Sequence, residues 1–222
     1  MNKPTPQLIA AEIDSLARLL VTSGLADETL GTSIRSRAGE TLAEPSEPVG
    51  REVMRLESYE ALYRRQSQQG AYQVRLLDGA LLQLSYAFVG RNISRHRLAY
   101  LPSPSLLPFE SEPDLYLGEV PFLDVVGRQI MVVPLRFDFD NRPEADATAN
   151  HPASHLTLGQ YANGRIPVSG PVLPWMFVSF VVGHFYRHGP AWTNPISPGR
   201  MRSFADRIDR DDLASTHIRL AK

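Results

Sequence analysis

Two stretches carry residue types at spacings that could do chemistry: Arg136-Phe137-Asp138-Phe139-Asp140 and His155-Leu156-Thr157-Leu158-Gly159-Gln160-Tyr161. Successive side chains of a β-strand point to opposite faces. Arg136, Asp138 and Asp140 therefore share one face, with Phe137 and Phe139 on the other. The same alternation sets His155, Thr157 and Tyr161 against Leu156 and Leu158. If the two strands are neighbours, their apolar sides must meet one core, and their polar sides then coincide. Arg136, Asp138 and His155 would form a charged cluster on one sheet face, with His151 above it in the incoming loop.

A carboxylate beside an imidazole orients the ring and raises its pKa, which is one way to make a general acid or base. A nearby arginine holds a phosphate and stabilises the negative charge that develops in phosphoryl transfer. The expected roles are His155 or His151 as acid or base, Asp138 as orienter, and Arg136 and Arg165 as phosphate clamps. Together they point to metal-independent cleavage of RNA, with no cofactor. A serine hydrolase is not indicated, because the sequence has no Gly-x-Ser-x-Gly elbow. Two other readings stand beside this one. An Arg–Asp pair on a half-exposed strand also serves as a plain cross-strand ion pair, and a His-Pro step also shapes a turn. Asp138, His151 and His155 are acceptable ligand types for a divalent transition metal. Residues four apart on an extended strand are about 13 Å apart, so a metal would require Pro152 to bend the chain.

Further basic residues lie upstream. Ser94-Arg95-His96-Arg97, with Arg91, makes a local positive patch on a candidate strand. Arg95 and Arg97 are therefore counted with Arg136 and Arg165 as substrate contacts, the alternative being a solvated edge. His184, Arg187 and His188 fall at the end of an apolar helix, where cations complement the helix dipole. Trp175, Phe177, Phe180, Phe185 and Tyr186 are read as core rather than as a stacking platform.

The elements that must position these residues follow from periodicity. Thr5-Pro6 is an N-cap with proline at the first helical position. Ile9, Ile13, Leu16 and Leu20 then recur at helical spacing up to a stop at Gly24. Residues 26–50 mix Thr, Ser, Gly, Glu and Pro and are expected to be a loop with at most one short helical turn. A second helix is expected over residues 51–68. From Tyr72 the period becomes two, and two alternating runs flank Asp78-Gly79, a hairpin signal. Further strands are expected over residues 93–100, 130–140 and 155–161, with Pro134 marking an edge position or a bulge. Residues 172–186 are long, aromatic and without alternation, the pattern of a buried helix on the sheet. The end of the chain, residues 195–222, is expected to be a charged helical tail. This order predicts an α+β fold, a mainly antiparallel sheet packed by helices. It divides into an N-terminal helical part (1–70), a sheet core with the buried helix (71–190) and a C-terminal tail (191–222), all in one compact domain.

Composition bounds the function. With 222 residues, 43% hydrophobic and 21% charged, the chain can bury one sizeable core. Net charge is −1, so any nucleic-acid contact must be a local patch rather than an overall attraction. Of the 23 basic residues only Lys3 and Lys222 are lysine, a bias that suits bidentate phosphate contacts and equally a GC-rich genome. With no cysteine, disulfides, thiolate zinc sites and cysteine nucleophiles are excluded. Neither a signal peptide nor a membrane span is visible, and the expected location is cytoplasmic.

The stretch His151-Pro152-Ala153-Ser154-His155-Leu156-Thr157-Leu158-Gly159-Gln160-Tyr161, followed by Arg165-Ile166-Pro167-Val168 and a proline-led aromatic helix ending Phe185-Tyr186, resembles a bacterial family, domain of unknown function 2290. Leu135-Arg136-Phe137-Asp138-Phe139-Asp140 and the Tyr86 to Tyr100 hairpin fit the same pattern, so the resemblance spans roughly Tyr72 to Tyr186. One departure is Asn163-Gly164-Arg165, where the family pattern has Asn-Cys-Arg. The family name carries no activity to this chain. An Arg-x-Asp strand followed by a His-Pro segment is also loosely similar to ribonuclease toxins of type II toxin–antitoxin systems. The functional expectation is a nuclease-like protein, a ribonuclease of a toxin–antitoxin or phage-defence locus with RNA as partner. The alternative is a non-catalytic accessory, antitoxin or immunity module that binds a partner protein from the same locus.

Overall fold

The structure, a computed structural model, describes residues 2–47, 58–104, 133–142, 152–160, 164–186 and 201–220. It is an α+β fold with nine strands in one antiparallel sheet among the described residues. The strands are β1 (Ala26–Thr29), β2 (Thr32–Arg37), β3 (Glu40–Pro45), β4 (Val74–Leu76), β5 (Leu81–Val89), β6 (Asn92–Leu101), β7 (Leu135–Asp140), β8 (Ser154–Leu158) and β9 (Arg165–Pro167). The helices are α1 (Pro6–Thr22), α2 (Tyr59–Gln69), α3 (Pro174–Phe185) and the single turn α4 (Arg210–Leu213). None of the described helices is long and apolar enough to cross a membrane.

Helix α1 begins as its residues require, with the Thr5 side chain accepting from Leu8 N–H and proline at the first helical position. Its stripe Ile9, Ile13, Leu16 and Leu20 is buried. The hairpin expected around Asp78-Gly79 joins β4 to β5. Gly79 takes φ +82°, a conformation costly for any side chain, and the Asp78 carboxylate accepts from Ala80 N–H at 3.0 Å.

The path β1-β4-β5-β6-β7-β8-β9 follows chain order from β4 onward. At β5 the sheet forks: Leu81 and Leu82 pair with β4, while Tyr86 to Phe88 pair with β3 on the same side. One face carries the main core. Leu84, Tyr86, Leu98, Tyr100, Phe137 and Leu156 meet the apolar stripes of α1 and α3 there. Phe137 stands edge-on to Phe177 and Phe180 of α3, with ring centroids 6.2 and 5.5 Å apart, an arrangement that aromatic quadrupoles favour. The opposite face is covered near α2 by a small cluster of Tyr72, Leu81, Ala99 and Leu101. Further along β6 to β9 that second face is polar, and the candidate site lies on it.

Four expectations are corrected. Residues 26–47 form β1, β2 and β3 instead of a loop. They are polar strands whose identity comes from pairing rather than from alternation. Helix α2 starts at Tyr59 because Ser58 caps it, accepting from Ala61 N–H; residues 51–57 of the expected helix lie outside the described residues. Pro134 marks neither an edge nor a bulge. It immediately precedes β7, which is paired on both sides, so its missing N–H costs no ladder bond. The described tail is extended apart from α4, tied down by parallel bridges Asn2 to Met201 and Val168 to Ile218.

Candidate functional site

Register builds the site. Across β6, β7 and β8 the residues Arg97, Asp138 and His155 are directly opposed. One step along, Arg136, Thr157 and Arg165 are opposed across β7, β8 and β9. Directly opposed residues have Cβ atoms about 5 Å apart, so each row is a line of side chains in mutual reach. Because Phe137 and Leu156 are drawn into the α1/α3 core, both rows are driven to the other face. The juxtaposition expected from alternation alone is therefore present, and Arg97 and Arg165 join it.

Asp138 is the hub of the first row. Arg97 Nε donates to Oδ1 at 3.0 Å and Arg136 Nε donates to Oδ2 at 2.5 Å. Burial would raise the carboxyl pKa, but the charges of Arg136 and Arg97 outweigh it and hold the group below the usual aspartate range. Asp138 is therefore an anion at neutral pH. Arg136 is held below the usual arginine range by burial, opposed by Asp138 and reinforced by the like charges of Arg97 and Arg165. It stays protonated.

His155 does not receive its orienting bond from Asp138. Its Nδ1 lies 2.9 Å from the carbonyl of Pro152, so Nδ1 carries the hydrogen and donates it there. Nε2 is left as the basic nitrogen and lies 3.8 Å from Asp138 Oδ2, an ion-pair distance rather than a hydrogen bond. The side chain is only 4% exposed. His151 lies outside the described residues, as do Tyr161, Arg187 and His188. Among the described residues no three His, Asp or Glu side chains converge as metal ligands would.

The basic patch on β6 divides between the faces. Strand β6 is central, between β5 and β7, so these residues are not a solvated edge. His96 points into the core between Tyr86 and Phe139. Arg95 pairs with Glu40 at 2.7 Å, and Ser94 Oγ donates to the same carboxylate at 2.8 Å. Both reach it because Ser94 is the extra residue of a β-bulge, opposite the step from Ala87 to Phe88. Arg142, which sequence reasoning missed, pairs with Asp140 at 2.5 Å. It lies two residues past the end of β7, so the signal was an Asp-x-Arg step at a strand end.

These side chains surround a cavity of about 300 Å³, at the small end of ligand pockets. Among the described residues five arginines line it (Arg95, Arg97, Arg136, Arg142 and Arg165), along with His155 and three carboxylates, Glu44, Asp138 and Asp140. A chain of net charge −1 thus gathers a local excess of positive charge in one concavity. Such a site attracts an oxyanion, and guanidinium forks match phosphate geometry.

The family model described as Uncharacterized conserved protein (DUF2290) matches residues 25–220. No curated protein and no solved structure matches the chain.

Proposed function

For this chain, which belongs to the DUF2290 family, we propose a nucleic-acid-binding ribonuclease that works without a metal. The observation that carries the reading is the arginine-lined cavity with one imidazole whose Nδ1 is fixed, so that Nε2 is the nitrogen that exchanges a proton. RNA supplies its own nucleophile. The 2′-hydroxyl attacks the adjacent phosphorus, His155 Nε2 takes its proton, and the arginines stabilise the charge on the non-bridging oxygens. The proton then passes from His155 to the departing 5′-oxygen, leaving a 2′,3′-cyclic phosphate and a 5′-hydroxyl. The ionised Asp138 holds Arg97 and Arg136 in place and favours the imidazolium formed in between.

Full-length protein incubated with end-labelled single-stranded RNA in excess chelator tests this. Expected are cyclic-phosphate products, no cleavage where the 2′-hydroxyl is replaced by hydrogen, and a loss of about 100-fold or more in His155→Ala. A folded His155→Ala protein that cuts at the wild-type rate overturns the assignment.

The burial of His155 and the double pairing of Asp138 favour a second reading, in which the cluster locks the sheet and the protein binds a partner protein. Among the described strands β2 pairs with β3 alone, and residues 34–37 are exposed along it, so this edge offers a template for strand addition. This version predicts a stable complex with a neighbouring gene's product and no turnover of RNA.

A further inference from the structure

We propose that Arg136, Thr157 and Arg165 form a dedicated subsite for a phosphate group, with Thr157 at its centre and a guanidinium on either side. The proposal rests on the reading of the cavity as a phosphate site but not on cleavage, and it assigns the phosphate to this row rather than to Asp138 and His155.

Two independent observations carry it. The first is a charge without a counter-ion among the described residues. Four of the five arginines around the cavity each have a carboxylate: Arg95 pairs with Glu40, Arg97 and Arg136 share Asp138, and Arg142 pairs with Asp140. Arg165 makes no side-chain hydrogen bond or ion pair with the described residues, although it lines the cavity and its charge is felt by Arg136. Two like charges brought together in a partly buried site attract an anion between them.

The second is an orphan hydroxyl. Thr157 is 6% exposed, and its Oγ1 is buried with no hydrogen-bond partner. A buried hydroxyl left unsatisfied is unfavourable, and valine would fill the same space without that cost. Thr157 faces the same side as His155, because Leu156 between them enters the core. In register it stands between Arg136 and Arg165. Adjacent strands are about 5 Å apart, so the two arginine backbones are about 10 Å apart. Arg136 and Arg165 line the cavity, and Thr157 is their common neighbour in register on β8; an oxyanion held between the two guanidiniums would supply the acceptor that the buried hydroxyl lacks. A cavity of about 300 Å³ suits a phosphate on a single strand or a small molecule, not a duplex groove.

Titrating full-length protein with inorganic phosphate at constant ionic strength, followed by thermal unfolding, tests the subsite. The wild type should show a saturable rise in Tm. Arg165→Gln should weaken phosphate binding by about tenfold or more, the scale of one charge-assisted hydrogen bond. Thr157→Val should be at least as stable as wild type without phosphate yet bind it several-fold more weakly, a combination that a purely structural threonine would not produce. Absence of a saturable shift in the wild type, or wild-type affinity in a folded Thr157→Val protein, overturns the proposal. If Arg165→Gln does not fold, Thr157→Val decides alone. A second arm compares single-stranded RNA with and without a 5′-phosphate. Preference for the phosphorylated strand identifies a terminal phosphate and equal binding a backbone phosphodiester; several-fold weaker binding by Thr157→Val is required in either case. Phosphate binding without RNA cleavage would remove the ribonuclease reading and leave this subsite standing.

Discussion

Acid should unfold this chain through His96, a residue on the opposite face of the sheet from the cavity's arginine rows. His96 is 3% exposed, packed between Tyr86 and Phe139 with ring centroids 5.5 and 5.8 Å away. Its Nε2 accepts from Val172 N–H at 2.9 Å, which requires the neutral ring with its hydrogen on Nδ1. Burial pushes the imidazole from 6.5 down to about 4, against the weaker opposing pull of Asp138. As the pH falls below 6.5 the unfolded chain takes up the proton and the folded chain does not. The stabilisation is therefore complete above that value and is lost progressively as the pH falls towards 4. With one pKa unit equal to about 1.4 kcal/mol, the loss is about 2 kcal/mol by pH 5 and about 3 kcal/mol by pH 4. Urea unfolding of wild type and His96→Gln at stepped pH measures it. The amide oxygen of glutamine can accept from Val172 N–H but does not titrate, and the other titrating groups act in both proteins. The stability difference should shift by about 3 kcal/mol in favour of His96→Gln between pH 7 and pH 4. A difference that stays constant over that range refutes the reasoning.

Glu12 should act in the opposite direction. Its carboxyl is pushed up to about 7 by burial, against a hydrogen bond from Trp175 N–H at the start of α3. The folded state therefore holds this proton more tightly, and stability falls as the pH rises from 4.5 through about 7. Glu12→Gln, which keeps the acceptor, should be more stable than wild type at pH 8 and indistinguishable near pH 4 by the same unfolding assay. Asp138→Asn removes the anion shared by Arg97 and Arg136. Because Arg97 is 36% exposed and partly screened, the expected loss is about 2 kcal/mol at neutral pH, less than for a fully buried pair. The Asp138 pKa is depressed, so this gap should close as the pH falls below 3.8. The same variant should bind inorganic phosphate more tightly in a calorimetric titration, since two guanidiniums lose their internal competitor.

Those elements were legible whose signal is local. The Thr5-Pro6 cap, the Asp78-Gly79 hairpin and the aromatic run that becomes α3 each announce themselves within a few residues. Strands β2 and β3 did not. Thr32-Ser-Ile-Arg-Ser-Arg has one apolar residue, Ile34, and that residue is exposed, so no alternation marks it. Strand propensity reflects packing context more than backbone preference, and the context here is the pairing of β3 with β5. The clue was the two-residue loop Ala38-Gly39, both at positive φ, the geometry of a tight hairpin turn. The tail was misread because its charge suggested helix, whereas Ser169 and Ile218 hold it in an extended bridge, with Ser169 N–H donating to Ile218 at 2.9 Å.

The cluster of Arg136, Asp138 and His155 was visible because alternation fixes a face and the core fixes which face is buried, whereas the row that Arg97 makes with Asp138 and His155 depends on strand register. Two strands that each carry an apolar and a polar side have only one mutual orientation that buries the first. What alternation cannot supply is the direction of individual hydrogen bonds. The His155 ring turns to Pro152 rather than to Asp138 because Asp138 already accepts from two arginines and has little left to offer a neutral imidazole. That division organises the pocket. Asp138 holds Arg97 and Arg136 in position and cancels one of their charges, while β9 brings in Arg165 opposite an unsatisfied Thr157. The proposed phosphate subsite rests on this pair: among the described residues Arg165 has no carboxylate partner, and the Thr157 hydroxyl is buried without a hydrogen-bond partner. Positive charge and an orphan donor left side by side are what a site needs when its anion comes from outside.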